Sequence, residues 1–239
     1  MIFLLGGYDL EMVTIKKLLD LHNISYLDKK LSWGAKLSDY SDILTGEEES
    51  VYGVELVEDT KPPKNYISID HHNKNSHKLS ALEQVANLLN IELDRHQLLV
   101  AKNDSAYING MKSICATNDE IKSIRDEDRK IQGVTKEDEA LASKSIYSSN
   151  NSNIIYSHTS KFSAISDKIY DKFNKYIIYN DFTVSFYGYN TSKIRKFLNS
   201  YNLRESDYYY GGGDFGFIGI KDSLLNKDKI TSLLKEFKI

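Results

Sequence analysis

Short apolar runs alternate with longer runs of helical period from Ile2 to Leu89, and no other feature constrains the fold as tightly. Ile2, Phe3, Leu4 and Leu5 stand together and stop at Gly6-Gly7, which reads as a buried strand within 1–10. Over 11–22 the apolar residues Met12, Ile15, Leu18 and Leu19, with Val13 less regular, recur at the spacing of a helix. Residues 24–27 read as a second strand, 33–44 as a helix, 51–57 as a third strand and 66–69 as a fourth. Ser80 and Glu83 then form a capping box, Ser at the N-cap and Glu at N3, which opens a helix through Leu89. Strands that alternate with helices predict an α/β fold, a parallel sheet flanked by helices.

The pattern changes further on. From His96 to Ile146 the chain reads helical in three pieces, with a second capping box at Thr117 and Glu120 and a break at Gly133. Residues 148–153, all serine or asparagine, are the expected linker. Beyond it, strands are expected at 154–157, 176–179, 183–187 and 215–220, and helices at 163–174, 191–201 and 226–237. The expected organisation is a catalytic domain over 1–147, the linker, and a second, smaller α/β domain over 154–239.

Composition excludes several classes. The chain has 239 residues, enough to bury a core without disulfides or a structural metal. Its one cysteine, Cys115, excludes a disulfide scaffold and a cysteine-rich zinc module. Met1 to Leu5 is too short to span a membrane, and no basic region precedes it as in a signal peptide, so a cytoplasmic protein is expected. With 31 basic and 34 acidic side chains the net charge is −3. A protein that coats long nucleic acid carries a basic excess or stripe, and neither is present. Partners of that kind are not expected, whereas a small phosphorylated molecule is.

Ligands of α/β sheets bind beyond the carboxyl ends of the strands. The polar residues at those ends are Asp9 and Glu11 after the first strand, Glu55 near the end of the third, and Asp70-His71-His72 after the fourth. Asp104 follows the apolar helical run Leu98 to Ala101. Carboxylates and an imidazole converging there make an anionic pocket that calls for cations. Oxygen ligands with imidazole suit manganese, or magnesium. Each acid also has a plainer reading. Asp9 and Glu11 can be first-turn acids on a helix dipole, Glu55 a solvent-facing strand residue, and Asp104 a turn or cap residue. The triplet is harder to explain by packing, because two adjacent histidines in one loop seldom serve a core.

The triplet in its setting, Ile67-Ser-Ile-Asp-His-His-Asn73, resembles the DHH phosphoesterase superfamily. That family includes exonucleases, oligoribonucleases, cyclic-dinucleotide phosphodiesterases and inorganic pyrophosphatases. Asp9-Leu-Glu11 lies where the family has its first Asp-x-Asp, Glu55 (with Asp59 as the fallback) where it has a lone Asp, and Asp104 where it has its fourth motif. The resemblance implies that Asp9, Glu11, Glu55, Asp70, His71 and Asp104 hold two divalent metals, manganese foremost. It implies a phosphate contact for His72, and catalytic roles for Asp70, His71 and His72. Gly211-Gly-Gly-Asp214 resembles the Gly-Gly-Gly-His signature of the small domain that accompanies DHH domains, so Gly211, Gly212, Gly213 and Asp214 are expected to bind substrate. Four positions depart from the family. Glu replaces Asp at positions 11 and 55, Asp214 stands for His, and Leu5 stands where some members have a metal-binding His.

Other residues carry weaker signals. His77, His158, Lys193 and Arg195 are possible phosphate contacts or ordinary surface residues. Trp33 and the run Tyr208 to Tyr210 can stack on bases or serve packing. The expected function is metal-dependent hydrolysis of a short nucleotide, whether a dinucleotide or a cyclic or linear oligonucleotide, by water activated on two metals. The alternatives are a phosphatase or pyrophosphatase acting on a small non-nucleotide ester, and a non-catalytic nucleotide sensor with a degenerate metal centre.

Overall fold

The computed structural model describes residues 1–32, 34–44, 49–72, 75–212 and 215–237. Trp33, Gly213 and Asp214 lie outside the described residues. The chain divides into two compact units, 1–132 and 133–239.

The first unit is an α/β layer structure. Its strands are β1 (Ile2–Leu5), β2 (Tyr26–Leu27), β3 (Val51–Val54) and β4 (Tyr66–Ile69). All pair in parallel in the order β2-β1-β3-β4, with Ile2 opposite Val51 and Val51 opposite Tyr66. From β1 the chain goes to β2 on one side, then crosses to β3 on the other. The strand order therefore reverses between β1 and β3, and at such a point their carboxyl ends open a crevice. The helices are α1 (Leu10–Leu21), α2 (Ala81–Leu89), α3 (Arg95–Ser113) and α4 (Asn118–Ile131). Helix α1 buries Leu10, Met12, Ile15, Leu18 and Leu19. Each such side chain contributes about 1.5–3 kcal/mol. Helix α2 buries Ala81, Leu82, Val85 and Ala86, and it starts at the expected capping box, in which Glu83 N donates to Ser80 Oγ at 3.1 Å.

The expected helix at 33–44 is instead a 3-10 turn, Leu37–Tyr40. The Tyr40 ring is fully buried with Leu4, Leu37 and Val51, and its hydroxyl donates to the Leu5 carbonyl at 2.6 Å. The third strand is also shorter than expected. It ends at Val54, because Glu55 adopts φ +53° and leaves the strand path.

The second unit comprises α5 (Lys136–Ser148), β5 (Ile154–Tyr156), α6 (Ser163–Ile169), β6 (Tyr176–Tyr179), β7 (Val184–Tyr187), α7 (Thr191–Ser200), β8 (Tyr208–Gly211), β9 (Phe217–Ile220) and α8 (Lys227–Glu236). Its sheet is mixed, in the order β5-β6-β7-β9-β8, and only β5 and β6 pair in parallel. Ile177, Phe186, Ile218, Ile194, Leu198 and Leu233 form one core. Ala142, Ile155, Phe162, Ile165, Tyr176 and Ile178 form another. Ala142 lies on α5, so that helix, expected in the first domain, packs within the second unit. Residues 148–153 therefore join α5 to β5 inside one unit, and Asn150 and Asn151 turn the chain with φ of +50° and +61°. Strand β8 is built from the tyrosine run. Among the described residues no helix is long and apolar enough to cross a membrane.

Candidate metal centre

The strand ends of the first unit bring Glu11, Glu55, His71, His72 and Asp104 together. Asp9 is the N-cap of α1, where one carboxylate oxygen accepts from Met12 N at 2.8 Å. That places Glu11 in the first turn of α1, pointing inward and only 1% exposed. Its Oε1 accepts from the amide of Leu82 at 3.0 Å, near the start of α2. Its Oε2 lies 3.4 Å from His71 Nε2. The same nitrogen is 3.1 Å from Glu55 Oε1 and 2.6 Å from Asp104 Oδ2. His72 Nε2 is 3.3 Å from Glu55 Oε1, and the two imidazole rings lie 4.3 Å apart.

One ring nitrogen cannot serve three carboxylates. Glu11 Oε2, Glu55 Oε1, Asp104 Oδ2 and His71 Nε2 are buried with no hydrogen-bond partner among the described residues. Such atoms are rare, because each costs about 1–3 kcal/mol or more when charged. Glu55, His71, His72 and Asp104 each offer a ligand atom, all within 4.8 Å of one another, and this group can hold a metal ion. The donor set fits a divalent ion, with carboxylate oxygens to offset its charge and imidazoles as neutral donors.

Charge crowding perturbs the titrations. Burial, then the neighbouring carboxylates Glu55 and Asp104, push the Asp9 carboxyl well above its usual range. Burial, then Asp104, push Glu11 up to about 8. Burial opposes the charged form of Glu55, yet His71 and His72 beside it hold its carboxyl below the ordinary range. Burial likewise opposes protonation of His72, but Glu55 outweighs it and raises the imidazole to about 9. His71 is also raised, by Asp104, Glu11 and Glu55 against its burial.

Backbone geometry aims two of the ligands. Glu55 is held in its left-handed conformation where β1 passes close by. A Cβ on Gly6 would lie 2.5 Å from the carbonyl of Val54 and 2.8 Å from that of Glu55. Asp104 sits in α3 just before a break at Ala106 and Tyr107, where Tyr107 has φ +57°. Arg125 on α4, 6% exposed, holds both sides of Asp104. It donates to Asn103 Oδ1 at 2.9 Å and stacks 4.6 Å from the centre of the Tyr107 ring, while Asp128 accepts from it at 2.5 Å. Strain of this kind persists where surrounding structure over-determines it. Gly6 and Arg125 carry no motif. Arg125 reads as one more charge on a charged helix, and only its burial reveals its use.

Asp70 lies outside the metal-capable group. Its carboxylate closes its own loop, with Oδ1 accepting from His72 N at 2.9 Å and Oδ2 from Asn75 Nδ2 at 2.7 Å. In the second unit, Gly211 ends β8 opposite Phe217, whose ring lies where a Cβ would be. Gly212 has φ +73° and abuts Gly216, so both described glycines serve the hairpin turn. Arg195 pairs with Glu205 and lies 4.8 Å over the Tyr210 ring, a structural use. His77, His158 and Lys193 are exposed. No family model matches the chain, and none of the curated proteins matches it.

Proposed function

We propose that the chain is a divalent-metal-dependent phosphoesterase that hydrolyses a short nucleotide. One observation carries the reading: ligand atoms of Glu11, Glu55, His71 and Asp104 are buried with no hydrogen-bond partner among the described residues, and Glu55 and His71 directly follow the parallel strands β3 and β4, at whose carboxyl ends α/β proteins bind ligands. Glu55, His71 and Asp104 would hold the ion, with His72 and Glu11 beside them. A divalent ion there supplies Lewis acidity toward a phosphoryl oxygen and lowers the pKa of water.

The protein's own part is orientation. Asp70 fixes the loop that presents both histidines. The amide of Leu82 fixes Glu11. Arg125 fixes the segment that carries Asp104. Because these groups are held before substrate arrives, little reorganisation is needed during reaction. The net charge of −3 supports a short substrate rather than a long polyanion.

The test is hydrolysis of bis-(p-nitrophenyl) phosphate and of a linear diadenylate by metal-stripped protein, with and without manganese, beside His71→Ala. Manganese-dependent turnover is expected, reduced at least about hundred-fold in the variant. Turnover that needs no metal, or none on either substrate, would overturn the proposal. Metal uptake without turnover would indicate a sensor.

A further inference from the structure

We infer that the strand-end cluster is built for one divalent ion with His72 among its ligands, and not for the pair of ions that the DHH resemblance implies. The inference rests on the metal-dependent reading above and concerns its stoichiometry and ligand set.

The span of the donors is the first argument. Two donors at about 2.1 Å from a shared ion lie within roughly 4.3 Å of each other. Two ions about 3.5–4 Å apart spread their outermost donors to roughly 8 Å. The ligand atoms of Glu55, His71, His72 and Asp104 all fall within 4.8 Å, the span of one ion after a slight contraction. His71 Nε2 and Glu55 Oε1 are buried in that group without a hydrogen-bond partner among the described residues, so both atoms have a ligand position to offer.

The second argument is where the remaining acids are spent. Both oxygens of Asp70 are committed to its loop, to His72 N and Asn75 Nδ2. Asp9 spends an oxygen on the first turn of α1, and Glu11 spends one on the Leu82 amide. Leu5, at the position where some family members have a histidine, is 1% exposed and its side chain offers no donor atom. A second ion would thus find both oxygens of Asp70 committed and one oxygen each of Asp9 and Glu11 already engaged.

His72 follows from the same geometry. Asp70 accepts its amide, and its ring then reaches Glu55 at 3.3 Å. An imidazole so placed shares a donor's position with Glu55, rather than standing apart to meet a phosphate. Two imidazoles with carboxylates suit a first-row ion such as manganese better than magnesium.

Equilibrium dialysis against manganese chloride, followed by plasma mass spectrometry, counts ions per chain. Electron paramagnetic resonance of the same sample distinguishes an isolated ion from an exchange-coupled pair. One ion per chain with an isolated-ion spectrum is expected. Two ions with a coupled spectrum would overturn the inference and leave the metal-dependent reading standing. No uptake would overturn both. Manganese titrations of His72→Ala and His72→Gln, with folding checked by circular dichroism, test the ligand assignment. Their dissociation constants should rise at least about ten-fold. An unchanged constant in the variant that folds would overturn the role of His72.

Discussion

Asn103 and Asp104 are neighbours on α3, yet they enter two buried polar clusters of opposite character. Asn103 joins Arg125 and Asp128, where a buried cation faces a buried carboxylate. Asp128 accepts from Arg125 and also from Gln132 Nε2 at 3.1 Å. Asp104 joins Glu11, Glu55 and His71, where acids outnumber donors and ligand atoms lack hydrogen-bond partners among the described residues. Buried charge that serves architecture is neutralised by partners within the protein. Buried charge left unmatched is held there for something the protein must acquire. The matched cluster is what keeps the unmatched one in place, since Arg125 grips the chain on both sides of Asp104.

Breaking the matched cluster should have the largest effect. Arg125→Met leaves Asp128 buried without its main partner and should cost about 3–5 kcal/mol in urea unfolding. The double variant Arg125→Met with Asp128→Leu should recover much of that stability without recovering manganese affinity. If both recover together, Arg125 acts only on stability and the comparison fails.

The unmatched cluster should show itself through pH. In the metal-free protein Glu11 is raised from 4.5 to about 8 and His72 from 6.5 to about 9. A raised pKa means that the folded state binds the proton more tightly. The Glu11 contribution is therefore complete below pH 4.5 and lost as pH rises through 8. That of His72 is complete below pH 6.5 and lost through 9. Both have the same sign, so the stability of the metal-free protein should fall between pH 6 and pH 9. Urea melts at several pH values measure this, and manganese should flatten the profile. A stability that rises over that interval would contradict the arrangement.

Gly6→Ala sharpens the contrast on a smaller scale. The added methyl meets the carbonyls of Val54 and Glu55, and the shift should cost about 1–3 kcal/mol and weaken manganese binding. Gly212→Ala is the control in the second unit. Its φ of +73° makes alanine cost about 1–2 kcal/mol, with manganese affinity unchanged. Equal effects of the two variants on metal affinity would contradict the placement of the centre in the first unit.

What was legible in the sequence was local. Apolar run, glycine stop and helical period disclose the parallel sheet of the first unit, and the rule of strand ends singles out Asp9, Glu11, Glu55, Asp70, His71 and His72, of which Glu55, His71 and His72 join Asp104 in the metal-capable group. What was not legible depends on distant contacts. Glu55 reads as an alternating strand residue, because nothing local marks a left-handed φ that is set by the approach of Gly6. The break at Tyr107 is invisible without Arg125, which lies on another helix. Helix α5 was placed in the wrong unit because the serine and asparagine run after it looks like a linker, whereas its two left-handed asparagines form a tight turn.

The bond from the Leu82 amide to Glu11 couples the binding site to a single backbone hydrogen. That hydrogen sits inside α2 and is hidden from water by the same acid that borders the candidate ion site. Its nuclear resonance frequency and its rate of exchange with deuterium depend on the charge Glu11 carries, and hence on what Glu11 faces. Occupancy of the centre can therefore be read from one amide in a spectrum, without a substrate or a coloured metal.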